Sequence, residues 1–411
     1  MKRLAILAAL AVMLFGTAAG TARAQTVITG STDDGAFLKI VVPAAWNGDL
    51  VIWNHGFELD MPEPMPDLGP FAPRQLSQGY AVAASSYRQI GWAVFKTKND
   101  LQNLLDVFKA NFGAPAQIFV TGASLGGIVT AAAIEKANIG NVVGALSICG
   151  AVGGSRNWDL ALDLRLIYDT VCASVPTAFI PGSAEGLPEG FPFTDIQLAL
   201  AVNECTGILV PGSASPLQSA NLAKILASTT IPASFLIRDM GFATFSMSDL
   251  VHDPTKLAGH IGTGNFDVDY SDGFINATVA RVSPNPGAEN RLAKHYTPTG
   301  NVADTKIVSM HTDKDGLVVV ENESEYAAVV PAENLTTAIV VEAEPSHCGF
   351  TDAEGIAAWE SLRGWVAGGA QPTATSIQIA CVVLAGFGVP GPCRINPGFV
   401  IPDMDNRIRP R

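Results

Sequence analysis

The chain has 411 residues, a formal charge of −13 and 48% apolar residues. Its acidity repels nucleic acid and anionic membrane surfaces, and its apolar share supports a large core, which excludes a disordered chain. Six cysteines, an even number, fit disulfides in an oxidising compartment.

Residues 1–24 read as a secretory signal: Lys2 and Arg3, an apolar run from Leu4 to Phe15, and Ala22-Arg23-Ala24 ahead of Gln25. The run is too short to span a bilayer, and no later stretch reads as a membrane span. Cleavage there removes three basic residues and no acid, leaving −16 on a chain exported to the periplasm or the medium.

The segment from Thr26 to Val42, broken at Asp33-Asp34-Gly35, predicts a β-hairpin. Asp49 to Asn54 reads as a buried strand running into His55-Gly56-Phe57. A loop from Met61 to Pro73 and a strand from Tyr80 to Ser86 follow. Lys96 to Phe112 carries Leu101, Leu104, Leu105 and Phe108 at helical spacing. A strand from Gln117 to Thr121 breaks into Gly122-Ala123-Ser124-Leu125-Gly126, and an alanine-rich helix over Ile128 to Ala137 follows. Asn141 to Cys149 is the next strand.

Alternation of this kind implies a mostly parallel sheet covered on both faces, with ligands at the C-terminal ends of its strands. From Gly150 to Ala303 the rhythm is lost. Helical fragments (Thr194 to Val202, Ser215 to Ala227, Asn290 to Tyr296) lie among Gly, Pro, Ser and Asn, and residues 151–303 are expected to form an inserted cap or lid. The sheet pattern resumes with a strand from Thr305 to His311, a helix over Val319 to Val329, a strand from Thr337 to Val341 and a helix from Thr351 to Val366. Residues 25–150 and 304–368 thus form the core, and 369–411 an extended C-terminal strap.

Gly-x-Ser-x-Gly between a strand and a helix is how a serine nucleophile is mounted: the turn is tight, glycines leave room for it, and the helix N-terminus faces the reacting centre. In a glycine-rich chain the pentapeptide alone says little; its weight comes from the strand before it and the helix after it. Ser124 then needs a base, and the base an acid, in loops beyond later strands. His347 is the preferred base. His252, His260 and His295 lie in the inserted segment, while His311 and His55 read as residues that order their loops. Asp315 is preferred over Asp313 as the acid because Asp315-Gly316-Leu317-Val318 leads directly into the next helix; Asp60 and Asp67 read as surface charges. The backbone N–H groups of Leu125 and Phe57 are the expected oxyanion donors. Tyr87 and Trp92 are the candidate substrate contacts.

Among the cysteines, spacing favours Cys381 with Cys393 and Cys172 with Cys205, which leaves Cys149 for Cys348 out of fifteen possible arrangements. Asp267 to Gly273 resembles the start of a calcium loop, but its glycine is one place late and Thr278 stands where the loop needs Glu, so an acidic turn is the better reading. No phosphate-binding or dinucleotide motif is present, and no cofactor or metal is required.

With Ser124, Asp315 and His347 in this order and His55-Gly56 at an early strand end, the chain resembles the α/β-hydrolase superfamily over most of Asp49 to Cys149 and Lys306 to Gly368. The resemblance implies an eight-stranded sheet and acyl-enzyme chemistry. His347-Cys348-Gly349-Phe350 is also similar to the His-Cys end of tannase and feruloyl-esterase-like enzymes, whose cysteine bridges to one preceding the serine; here Ala123 holds that place. The expected function is therefore an exported serine esterase, a carboxylic ester hydrolase acting on a small-molecule or oligomeric ester, with polyester depolymerisation within that reading. The alternatives are a peptidase or amidase of the prolyl-oligopeptidase type, without that family's N-terminal propeller repeats, and a binding protein on a hydrolase scaffold.

Overall fold

The computed structural model describes residues 25–137 and 139–404. The signal-like segment 1–24 lies outside the described residues. Eight strands form one sheet: β1 (Thr26–Ser31), β2 (Phe37–Val42), β3 (Leu50–Asn54), β4 (Ala81–Ser85), β5 (Ile118–Ala123), β6 (Val142–Ile148), β7 (Lys306–Thr312) and β8 (Leu335–Val340). Their order is β1-β2-β4-β3-β5-β6-β7-β8. β2 runs antiparallel to β1 and β4, and every other pair is parallel. This is the α/β-hydrolase fold that the resemblance implies, a mostly parallel eight-stranded sheet with helices on both faces.

β3 and β4 are buried along their whole length, as strands covered on both faces must be. Successive side chains feed opposite layers: Leu50 and Ile52 join the core under the helices Thr97–Phe112 and Leu125–Glu135, while Val51 and Trp53 join the core under Asp352–Val366 and Ala374–Gly386. In the second layer Trp359 is fully buried against Tyr80 and Phe119, and its indole N–H donates to Gln78. Thr351 and Glu354 close a capping box at the start of Asp352–Val366, the local signal that placed this helix.

Residues 150–303 leave the sheet after β6 and return at β7. Among the described residues they form helices but no extended strand: Arg156–Val171, Asp195–Thr206, Pro216–Thr229, a helical run from Leu236 to His252 with a π turn over Phe242–Ser246, Gly273–Thr278 and Pro286–Lys294. Capping boxes at Thr194/Gln197 and Ser215/Gln218 start two of them. Arg156–Val171 was not expected, because its charges are buried where an amphipathic pattern would put apolar groups. Asp163 accepts from the Tyr270 hydroxyl at 2.5 Å, and Arg165 reaches the Ile180 and Gly182 carbonyls at 2.9 and 2.6 Å and Asp169 at 3.0 Å.

Outside residues 150–303, three elements differ from expectation. The loop ending at Pro73 gives way to a helix, Ala72–Ser77, with the proline in its first turn, where its fixed φ suits a helix start. The helix expected from Val319 begins only at Asn322, and Leu317, Val318 and Val319 face a cavity. The C-terminal strap contains the helix Ala374–Gly386, capped by Thr373, and only its far end is extended: Ile395 bridges to Val340 beside β8. No single helix among the described residues is long and apolar enough to cross a membrane.

Candidate active site

β5 ends in the turn that holds Ser124 at φ 58° and ψ −122°, a left-handed conformation costly for any residue with a Cβ. The neighbouring glycines are dictated by space. A Cβ on Gly122 would fall on the Gly126 carbonyl, and one on Gly126 would fall on the Asn54 carbonyl of β3. Ser124 N–H donates to the Ile148 carbonyl of β6 at 3.0 Å, and its own carbonyl accepts from Ala151 at 3.2 Å, so both flanks of the turn are tied down. Ser124 is also the N-cap of Leu125–Glu135, whose first N–H groups have no partner within the helix.

The loops after β7 and β8 bring the expected partners to this turn. His347 Nε2 lies 2.9 Å from Ser124 Oγ, and His347 Nδ1 lies 2.7 Å from Asp315 Oδ2. The other Asp315 oxygen accepts from the N–H groups of Leu317 and Val318, both at 3.0 Å, which leaves Oδ2 aimed at the imidazole. Asp313, the rival acid, accepts from the Glu342 N–H at 2.8 Å and joins the ends of β7 and β8.

Behind Asp315 stands His311, fully buried, with Nδ1 3.1 Å from Glu323 and Nε2 donating to the Val318 carbonyl at 2.6 Å. Its Nε2 lies 3.8 Å from Asp315 Oδ2. Burial pulls its pKa down, but the Glu323 hydrogen bond and charge, the Asp315 charge and the Val318 carbonyl outweigh burial and raise it above the ordinary 6.5. When protonated, the ring donates from both nitrogens and offsets the two buried acids. Because the folded value is raised, the stability His311 contributes is complete below about pH 6.5 and is lost as pH rises through the higher folded value. Nitrogen-15 spectra of the histidine rings followed against pH should therefore show His311 losing its proton above 6.5; loss of the proton below 6.5 would contradict this account.

Cys348, the residue after His347, is bonded to Cys149 at the end of β6, and Cys172–Cys205 and Cys381–Cys393 are the other disulfides. All three pairs match the spacing argument. With Ala123 before the serine, Cys348 is bridged one strand further along the sheet. Opposite this bond, Arg394 from the C-terminal segment donates to the Gly349 carbonyl at 2.6 Å and pairs with Glu354 at 2.8 Å. The histidine loop is thus held from both sides. Cys149, His347 and Cys348 are the one cluster of metal-ligand side chains among the described residues, and the two sulfurs are spent on each other.

Two cavities meet at Ser124. An inner one is walled by residues such as Trp92, Leu125, Trp158, Leu164 and Val318; an outer one is walled by His347, Cys348, Ile237, Arg238 and others. Phe57, Ser124, Phe242 and Leu317 face both, and the Phe57 and Phe242 rings meet at 4.8 Å. The backbone at His55-Gly56-Phe57 passes close to the serine, since a Cβ on Gly56 would sit 3.6 Å from Ser124 Cβ. That brings the chain just before Phe57 against the serine that precedes Leu125.

Of the two aromatic candidates, Trp92 lines the inner cavity, packed edge to face on Trp158 at 5.5 Å. Tyr87 does not reach either cavity; it is fully buried, stacked on His55 at 4.1 Å, and its strand-end position misled because its chain turns inward at φ 53°. His55 spends Nδ1 on the Gly56 carbonyl at 2.9 Å, in the loop-ordering role expected of it. In the calcium-like turn, Asp272 caps Gly273–Thr278 and pairs with Lys224 at 3.1 Å. Trp158, Phe242 and Leu317 were missed. Leu317 is adjacent to the acid loop in sequence, whereas nothing local marks Trp158 or Phe242.

No protein-family model matches the chain, and no curated protein matches it. Among solved structures it is similar to Candida antarctica lipase A, at 14% identity over 93% of this chain and 83% of the lipase, with a TM-score of 0.44. It is also similar to an esterase from Aspergillus oryzae (12% identity, 85% of this chain and 80% of that one, TM-score 0.48) and to feruloyl esterase B from Aspergillus oryzae (12%, 85% and 82%, TM-score 0.46).

Proposed function

We propose that this protein is a serine hydrolase that cleaves carboxylic esters by two-step acyl transfer. The observation that carries the reading is the unbroken chain from Ser124 Oγ to His347 to Asp315, at 2.9 and 2.7 Å. His347 Nε2 takes the hydroxyl proton as Oγ attacks the ester carbonyl, and Asp315 holds the imidazole in the tautomer that leaves Nε2 free. The carbonyl oxygen becomes an oxyanion held by the N–H groups of Leu125 and Phe57. Collapse of the tetrahedral intermediate breaks the bond to the alcohol, which leaves with the proton from His347. Water, deprotonated by the same imidazole, then attacks the acyl-enzyme, and Ser124 regains its proton as the acid departs.

Residues 151–303 act as the cap over this site. Export is supported by three disulfides, which suit an oxidising compartment. The substrate is a small-molecule or oligomeric ester, and neither a metal nor a cofactor has a step in this chemistry.

A fluorophosphonate probe followed by peptide mapping tests the nucleophile, and p-nitrophenyl esters set beside peptide p-nitroanilides test the substrate class. The expected result is one label, on Ser124, and a kcat/KM for esters about 100-fold or more above that for anilides. Faster anilide turnover with the label still on Ser124 replaces the esterase reading with a peptidase; labelling elsewhere ends both.

A further inference from the structure

Resting on the acyl-transfer reading, we infer that the inner cavity takes the acyl half of the substrate and the outer cavity the alcohol half, so that the enzyme selects esters of apolar acyl groups. Proton transfer sets the direction of the substrate. The leaving alkoxide must receive it from His347 Nε2, so the alcohol has to lie on the imidazole side of Ser124. His347 and Cys348 face the outer cavity, with the exposed Arg238 at its mouth. Leu125, whose N–H faces the forming oxyanion, lines the inner one.

The acyl carbon bonded to Oγ therefore projects its chain away from His347, past Phe57, Phe242 and Leu317, into the inner cavity. Its walls are mostly aliphatic and aromatic, from Trp92, Trp158, Ala161, Leu164 and Ile231 to Val319. Asn157, Thr229 and Asp239 interrupt them. Asn157 directs its amide to the Gly154 carbonyl at 3.1 Å and to Asn322 at 2.8 Å, and the Thr229 hydroxyl donates to the Ile225 carbonyl at 2.9 Å. Those two groups are engaged within the protein, and an acyl chain gains mainly by leaving water. The helix Arg156–Val171 supplies much of this wall and the π turn supplies Phe242, so the selecting surface comes from the inserted segment.

The test uses the whole protein with p-nitrophenyl esters from acetate to decanoate, and hexanoate esters of alcohols from methanol to 2-naphthol. In the wild type, kcat/KM should rise about fourfold per added methylene until the cavity is full. Ala161→Phe, which shortens the inner cavity, should lower the hexanoate-to-acetate ratio about tenfold. Ile237→Trp, on the outer wall, should lower the naphthyl-to-methyl ratio by a similar factor and leave the acyl ratio as it was. A flat acyl series in the wild type, or an Ala161→Phe effect on the alcohol ratio, overturns the assignment. Either result leaves Ser124 labelling intact, whereas failure of the acyl-transfer reading itself appears as loss of that labelling.

Discussion

Ser124→Ala is expected to lower ester kcat by about 10⁶-fold and to abolish fluorophosphonate labelling. The substitution removes only Oγ. The strained turn, Gly122, Gly126 and the backbone contacts to Ile148 and Ala151 do not involve that atom, so the variant should unfold within about 1 kcal/mol of the wild type. His347→Ala should lose activity on the same scale, and the double variant little more, because the two groups act as one unit. Asp315→Asn should cost about 10⁴-fold, since an amide that still accepts from Leu317 and Val318 no longer favours the productive tautomer. Steady-state turnover of a p-nitrophenyl ester checks all four. A Ser124→Ala variant with more than a few per cent of wild-type activity would exclude the acyl-enzyme mechanism.

Removing the Cys149–Cys348 bond by paired serine substitutions should lower stability and turnover together, because this bond serves both stability and geometry. It spans 199 residues, including the entire inserted segment, so the chain-entropy argument assigns it about 5 kcal/mol. It also fixes the residue after His347 to the end of β6, the strand that receives the Ser124 N–H through Ile148. A displacement of the imidazole by about 1 Å is enough to cost up to about 100-fold in rate. Thermal unfolding and kcat should both fall. The matching Cys172/Cys205 variant, whose 33-residue loop joins two helices of the inserted segment, should lower stability with a smaller loss of kcat. Equal kcat in the wild type and the Cys149/Cys348 variant would show that Arg394, through the Gly349 carbonyl, suffices to hold the loop.

Much of this architecture was legible in the chain because its signals are local. The alternation of β3 to β6, the glycines around Ser124 and the Thr351/Glu354 box act over a few residues, where steric and hydrogen-bonding preferences are strongest. The order Ser124, Asp315, His347 was legible as well, since each falls just beyond a strand of a parallel sheet. Arg156–Val171 was hidden because the partners that satisfy Asp163 and Arg165 come from Tyr270 and residues 180–182, and Tyr270 lies 107 residues from Asp163. Tyr87 was misread for the opposite reason: its position at a strand end suggested access, and one left-handed residue turns it inward beneath His55.

The sequence by itself determined the sheet, the glycine turn at Ser124 and the capped start of Asp352–Val366, because these depend on φ/ψ preference, on local capping and on periods of two or 3.6 residues. Tertiary structure alone decided which atoms meet. Ser124 and His347 stand 223 residues apart, and their 2.9 Å contact exists only once β5 and β8 are in one sheet. The raised pKa of His311 depends on Glu323 and Asp315 being buried beside it. The inner cavity depends on helices from the inserted segment closing over the ends of the strands. Burial and charge pairing are sums over neighbours brought from distant parts of the chain, and no local pattern encodes such sums.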